Sequence, residues 1–195
     1  MVTMGILLFP EVEELDFAGP FEVLSYVNKL IPASVEVKII AETLEPVKCY
    51  NGLRVLPDMT IEECPQLDIL VIPGGQGRKT ATKNIPLLDF IKRQHEGTIY
   101  TCSVCTGAFL LAEAGLLFGK KATTYHTAFG ELDAFPNVTV SNAKVVQDGK
   151  FITGGGVSSG LELGFHVVQL LFGRLIAQEV ARRIEYNWVP ANGQL

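Results

Sequence analysis

Histidine and cysteine are scarce in this chain, and the few present are spread apart. The three histidines, His95, His126 and His166, show no ligand spacing, which argues against a zinc site. The four cysteines, Cys49, Cys64, Cys102 and Cys105, are too few and too unevenly placed for a disulfide framework in a chain of 195 residues. No basic run is present. Sixteen basic against 21 acidic residues give a net charge of −5, so nucleic acid is not an expected partner. No apolar run is long enough to span a bilayer. Met1–Phe9 has neither a basic leader nor a small-residue cleavage site and reads as a first strand, so a cytoplasmic protein is expected. Repeats, linkers and low-complexity stretches are missing as well. With 48% hydrophobic residues the chain can build one domain with a large core, taken as residues 1–195.

What is present is an alternation of short apolar runs with stretches of helical spacing. Residues 3–9 form a strand ended by Pro10, followed by an acidic turn up to Pro20. A helix is predicted from about Pro20, because proline is favoured in a first helical turn, with Phe21, Val23, Leu24 and Val27 facing the core. Val35–Ile40 reads as the second strand, and Asn51-Gly52 marks a small edge hairpin. Leu67–Ile72 is a buried strand that runs into the glycine-rich loop Pro73–Gly77. A helix over Ile85–His95 follows, then a strand starting at Gly97. Beyond it, Lys121–Tyr125 is a short strand, 126–135 a short helix, and Asp148-Gly149 a second hairpin signal. Ser158 and Ser159 are N-cap candidates for a long apolar helix, and Leu175–Tyr186 closes the chain as an amphipathic one. Strands alternating with helices mean an α/β domain with a mostly parallel sheet, whose site lies where loops leave the carboxyl ends of strands.

The segment Thr101–Ala108 carries the chemistry. Cys105 is predicted at a strand-to-helix turn, flanked by small Ser103 and Gly107, which is the layout of a nucleophile elbow with cysteine in the serine position. A helix beginning at Thr106 would aim its positive end at the sulfur and lower the thiol pKa. Against this stands the reading of Cys105 as a buried structural thiol. Cys102-Ser103-Val104-Cys105 also fits a Cys-x-x-Cys spacing, but Cys102 falls inside the strand and points away from the exit. Thr106 either assists the helix start or takes part in the site. Asp16 is either a turn residue or a proton carrier; beside a thiol in a poorly solvated cleft its pKa would rise. His126 is a candidate third residue for orienting the thiolate, whereas His166 reads as a packing residue and His95 as a surface helix end. Ile85, Tyr125 and Val157 are candidate pocket walls.

The motifs Glu14–Pro20, Ile72–Gly75, Ser103–Ala108, Ala122–Thr124 and Thr153–Gly160, in that order, resemble the ThiJ/PfpI superfamily, which shares its fold with class I glutamine amidotransferases. Within it the chain is similar to the isonitrile hydratase branch and to the sensor domains of some AraC-type regulators. The resemblance covers about Met4 to Tyr186 and implies a flavodoxin-like sandwich, mostly parallel, with helices on both faces. It further implies a homodimer that acts on a small-molecule substrate and uses no cofactor or metal. By position it assigns Cys105 as the reactive cysteine, Asp16 as its acidic partner, and Thr106 as the residue after the nucleophile. The backbone N–H groups of Gly75 and Thr106 would form an oxyanion hole. The chain departs from the branch after Ala122–Thr124, where Tyr125 stands in place of a histidine and His126 follows. The regulators carry a DNA-binding module after this domain, and here the sequence stops at Leu195.

Three activities are compatible with these residues. One is a lyase-like hydration of a small electrophilic carbon, in which Cys105 attacks an isonitrile and Asp16 supplies the proton. Another is a redox or stress sensor with an oxidisable Cys105, and a third is glyoxalase or deglycase chemistry on small aldehydes. A ligand-sensing domain without chemistry is the alternative of a different class.

Overall fold

A computed structural model describes residues 1–190 of the chain. The strands are β1 (Val2–Leu7), β2 (Val35–Ala41), β3 (Val47–Lys48), β4 (Arg54–Val55), β5 (Met59–Thr60), β6 (Ile69–Ile72), β7 (Tyr100–Val104), β8 (Lys121–Ala122), β9 (Thr139–Val140), β10 (Val145–Asp148) and β11 (Phe151–Gly154). The helices are α1 (Glu14–Tyr26), α2 (Arg78–Ala81), α3 (Ile85–Gly97), α4 (Ala108–Glu113), α5 (Phe129–Asp133), α6 (Ser159–Phe172) and α7 (Arg174–Arg183).

Seven strands form the central sheet in the order β10-β11-β7-β6-β1-β2-β5. All neighbours run parallel except the β10–β11 hairpin. Both β6 and β11 are buried along their whole length, and in β6 this matches the unbroken apolar run Ile69–Ile72. One face is covered by α1, α6 and α7, which pack on one another, and the other by α3 and α4. The β3–β4 pair is a separate antiparallel hairpin turned at Gly52 (φ +104°), as the Asn-Gly signal predicts. It is tied to the first turn of α1, because Asn51 donates to the Glu14 carboxylate from its backbone N (2.9 Å) and its Nδ2 (2.7 Å).

From β1 the chain steps one way to β2 and β5, then returns to the far side of β1 through β6 and β7. The direction of winding therefore changes at the β1/β6 boundary, and the loops leaving β1, β6 and β7 flank the crevice that such a change opens.

Several sequence expectations are corrected. The first helix starts at Glu14, well before Pro20, which lies inside it. Phe21 faces outward at 39% exposure, and Phe17 takes the core position instead. Gly97 closes α3 and the next strand starts only at Tyr100. Ser158 occupies the N-cap position of α6 but its side chain makes no capping bond. His95 is not a free surface group: its ring stacks on Phe151 at 4.6 Å and its Nδ1 meets Thr101 Oγ1 at 2.9 Å. Burial, with the nearby Lys150 and Lys120 charges, pushes the pKa of His95 down to about 4.

Candidate active site

Cys105 directly follows β7 with φ +53°, a left-handed conformation that costs a non-glycine residue about 1–3 kcal/mol. The turn continues as a 3-10 segment, Cys105–Gly107, into α4. Thr124 holds the turn by donating its hydroxyl to the Cys105 carbonyl at 2.8 Å. Gly107 permits the tight packing, since a Cβ there would collide with the Ile72 carbonyl. The elbow read from the sequence is present, with the sulfur-bearing residue at its apex.

Asp16 reaches the same place from the first turn of α1. Its carboxylate is fully buried. Oδ2 accepts from the Gly74 backbone N–H at 2.9 Å, and Oδ1 is buried with no hydrogen-bond partner among the described residues. Two further contacts join the β1 and β6 loops: the Glu13 N–H donates to the Gly74 carbonyl at 3.0 Å, and Val12 bridges Gly75. Gly75 makes this approach with φ +127°, which only glycine adopts freely. Burial, opposed by the Gly74 N–H, aided by the Glu13 charge and opposed by the Cys105 thiol, leaves the Asp16 pKa raised to about 7. The sequence expectation of a raised carboxyl pKa agrees with this geometry.

The expectation for the sulfur does not. Cys105 is only 6% exposed, and burial pushes its pKa up to about 12, with the Asp16 charge adding to the rise. The Thr106 backbone N–H and hydroxyl favour the thiolate but are outweighed. The physical reason is that α4 is short and is entered through a 3-10 turn, so little dipole points at the sulfur, whereas desolvation is nearly complete. Near neutral pH the sulfur therefore keeps its proton, and the Asp16 carboxyl beside it stands between its two forms.

The second expected oxyanion donor is also engaged. Gly75 N–H donates to Thr106 Oγ1 at 3.0 Å, fixing that side chain, while the Thr106 N–H faces the sulfur.

Cys105, Thr106 and Gly75 open onto a cavity of about 370 Å³, with Glu13, Tyr125 and Val157 also on its wall. Two expected residues are elsewhere. Tyr125 takes the inward position at the head of the 126–128 turn, so His126 points outward, is exposed, and borders a separate smaller pocket. Ile85 is 62% exposed and does not line the cavity. Sequence reasoning missed Thr124, Glu13, Arg78 and Glu131. Thr124 was within reach, since it lies in the Ala122–Thr124 motif. Arg78 and Glu131 gave no local signal, because only the fold brings them together on the cavity wall.

The DJ-1/PfpI family profile matches residues 3–170. The chain belongs to the DJ-1/PfpI family. Among curated DJ-1/PfpI relatives, it is 39% identical over 190 residues to isonitrile hydratase of Pseudomonas putida, spanning 96% of this chain and 79% of that protein. Among solved structures, a ThiJ/PfpI family protein from Pseudomonas syringae superposes with a TM-score of 0.89 at 31% identity, covering 97% of this chain and 76% of that one. Drosophila melanogaster DJ-1beta superposes with a TM-score of 0.85 at 25% identity, covering 96% and 99%. The fold expected from the motifs, a mostly parallel sheet between two helical layers with a small hairpin, is the fold of this DJ-1/PfpI chain.

Proposed function

We propose that this protein is a cysteine-dependent hydratase that converts a small isonitrile to an N-substituted formamide. The observation that carries the reading is a carboxyl with a pKa near 7, buried behind a cysteine at the apex of a strand-to-helix turn and opening on a ligand-sized cavity. The 39% identity to an isonitrile hydratase supports the choice of substrate class.

In the first step the Cys105 sulfur forms a bond to the terminal carbon of the isonitrile as the thiol proton passes to Asp16. Asp16 then gives that proton to the same carbon, leaving a thioimidate. Thiol and isonitrile thus combine with no proton gained or lost. Water adds across the carbon–nitrogen double bond, its hydroxyl to carbon and a proton to nitrogen; the carbon–sulfur bond then breaks, the hydroxyl proton passes to sulfur and the formamide leaves. The Thr106 N–H steadies negative charge as it builds, and Gly75 acts through the Thr106 side chain that it holds. Splitting one hydration into two easier additions is the gain from covalent catalysis. With purified protein and cyclohexyl isocyanide, formamide should appear by NMR. Cys105→Ala should abolish it, and turnover that survives this substitution rejects the reading.

A second reading rests on Asp16 Oδ1, which is buried without a hydrogen-bond partner among the described residues. When peroxide oxidises Cys105 to a sulfinate, a protonated Asp16 donates to one of its oxygens and holds the oxidised form, the behaviour of a redox sensor.

A further inference from the structure

Arg78 and Glu131 stand side by side on the wall of the Cys105 cavity but come from different helices, Arg78 from α2 and Glu131 from α5. They form a two-point pair: Arg78 Nη1 donates to Glu131 Oε1 at 2.8 Å and Nη2 to Oε2 at 2.6 Å. Arg78 is held independently of this partner. Its guanidinium lies over the face of buried Phe109, with Cζ 4.0 Å from the ring centroid, and its side chain is 13% exposed. Glu131, at 55%, is the exposed member.

Glu131 is open to solvent, so screening limits what the pair adds to stability even with its two-point geometry. Its geometry does suggest a role. A planar guanidinium offered to a cavity is the usual receptor for a carboxylate, which it binds through two parallel N–H donors. Here those donors are already filled by a carboxylate of the protein itself. Lys79, the other cation on the wall, is exposed and solvated. Glu13 adds a negative charge on the same wall.

We infer that the Arg78–Glu131 pair is a charge filter: Glu131 occupies the place of a substrate carboxylate, and the site takes neutral electrophiles in preference to anionic ones. This deepens the hydratase reading and rests on it for the identity of the reacting carbon, though the filter itself requires only that Cys105 meets its ligand in this cavity. The substrate class becomes isonitriles whose substituent is uncharged. Removing the Glu131 charge should leave Arg78 in place on Phe109 with two free donors, turning the filter into an anion subsite.

The test uses two reagents of nearly equal size, iodoacetamide and iodoacetate. Each alkylates Cys105 by forming a sulfur–carbon bond as iodide leaves and the thiol proton passes to solvent. The rate of each is followed by intact mass and normalised to its rate with free N-acetylcysteine. The wild-type protein should favour iodoacetamide. In Glu131→Gln and Glu131→Ala the iodoacetate-to-iodoacetamide ratio should rise by about tenfold, and the gain should vanish in the Arg78→Met/Glu131→Gln double variant. Glu179→Gln, which breaks a remote ion pair on α7, should leave the ratio unchanged. An unaltered ratio in a folded Glu131→Gln protein overturns the inference. So does a gain that persists without Arg78, because it would then reflect only the loss of a negative charge. The same comparison with methyl isocyanoacetate and isocyanoacetate joins the filter to turnover. A protein that hydrates neither still yields the alkylation result, so the filter and the hydratase reading fail separately.

Discussion

At the scale of single residues, the site reverses the usual division of labour between an acid and a thiol. A nucleophilic cysteine is normally acidic and its neighbour basic. Here burial drives the Cys105 pKa up to about 12 and the Asp16 pKa up to about 7, so near neutrality the proton sits on sulfur and the carboxyl is poised between its two forms. Asp16→Asn keeps the shape and removes the negative charge. The Cys105 alkylation profile should then move to lower pH, because the Asp16 charge raises the thiol pKa, yet hydration should fall by about two orders of magnitude for want of a proton carrier. The same substitution has a signature in stability. A carboxyl whose folded pKa lies above its unfolded value binds more protons when folded, so stability falls as pH rises between the two values. Wild-type protein should lose melting temperature relative to Asp16→Asn from about pH 4 to about pH 7, the window set by the 3.8 and about 7 of this group. Parallel melting curves across that range would show that Asp16 is not buried as described. Cys105, Asp16 and Thr106 were readable as residues because each lies in a short contiguous motif. Their pKa order was not fully readable, since desolvation depends on what the rest of the chain packs around them.

At the scale of elements, the misplaced start of α1 shows where local preference yields to packing. Proline is favoured in a first turn, which made Pro20 a natural starting point, yet α1 runs from Glu14 straight through it. Pro20 cannot donate to the Asp16 carbonyl inside the helix. In return its ring allows close contact with α6, since a Cβ added at Gly160 would stand 3.0 Å from Pro20 Cδ. Glycines on α6 let the two helices approach, and that approach fixes where α1 presents Asp16 to the sulfur. Gly164→Ala tests the link. The new Cβ would lie 2.9 Å from Val23 Cβ, a rigid branched neighbour. We expect a cost of about 1–3 kcal/mol in chemical denaturation together with slower Cys105 alkylation, as α1 is pushed away. Gly130→Ala, in α5 with nothing within 4 Å of the added carbon, should be neutral or stabilising by up to about 1 kcal/mol. Equal effects from the two substitutions would detach the α1–α6 contact from the site. The helix periods of α3, α6 and α7 were legible because each has a clear apolar face. The start of α1 was not, because its first half buries Asp16, Phe17, Gly19 and Pro20, which carry no apolar period.

At the scale of the whole molecule, the alternation of strands and helices was enough to foresee the sheet, and the sheet sets which cysteine meets a cavity. All four thiols are free and all four are buried. Burial raises the Cys49 and Cys64 pKa values to about 11, and raises that of Cys102, enclosed within β7, still more. Only Cys105 among them opens on the cavity that Arg78 and Glu131 line. The cavity's charged rim, by contrast, was invisible in the sequence, because α2 and α5 lie far apart along the chain and meet only through the order in which the strands assemble. Since the sheet and its two helical layers unfold together, access to the other thiols should require global opening and not local fluctuation. Native protein treated with excess iodoacetamide should therefore gain one adduct, mapping to Cys105, and four in concentrated guanidinium. Mild peroxide should follow the same order, adding two oxygen atoms to Cys105 and none to Cys102. A native Cys102–Cys105 disulfide, or an adduct at Cys102 before unfolding, would mean that β7 does not seal its own sulfur. The Cys-x-x-Cys spacing would then have to be read again as a redox pair.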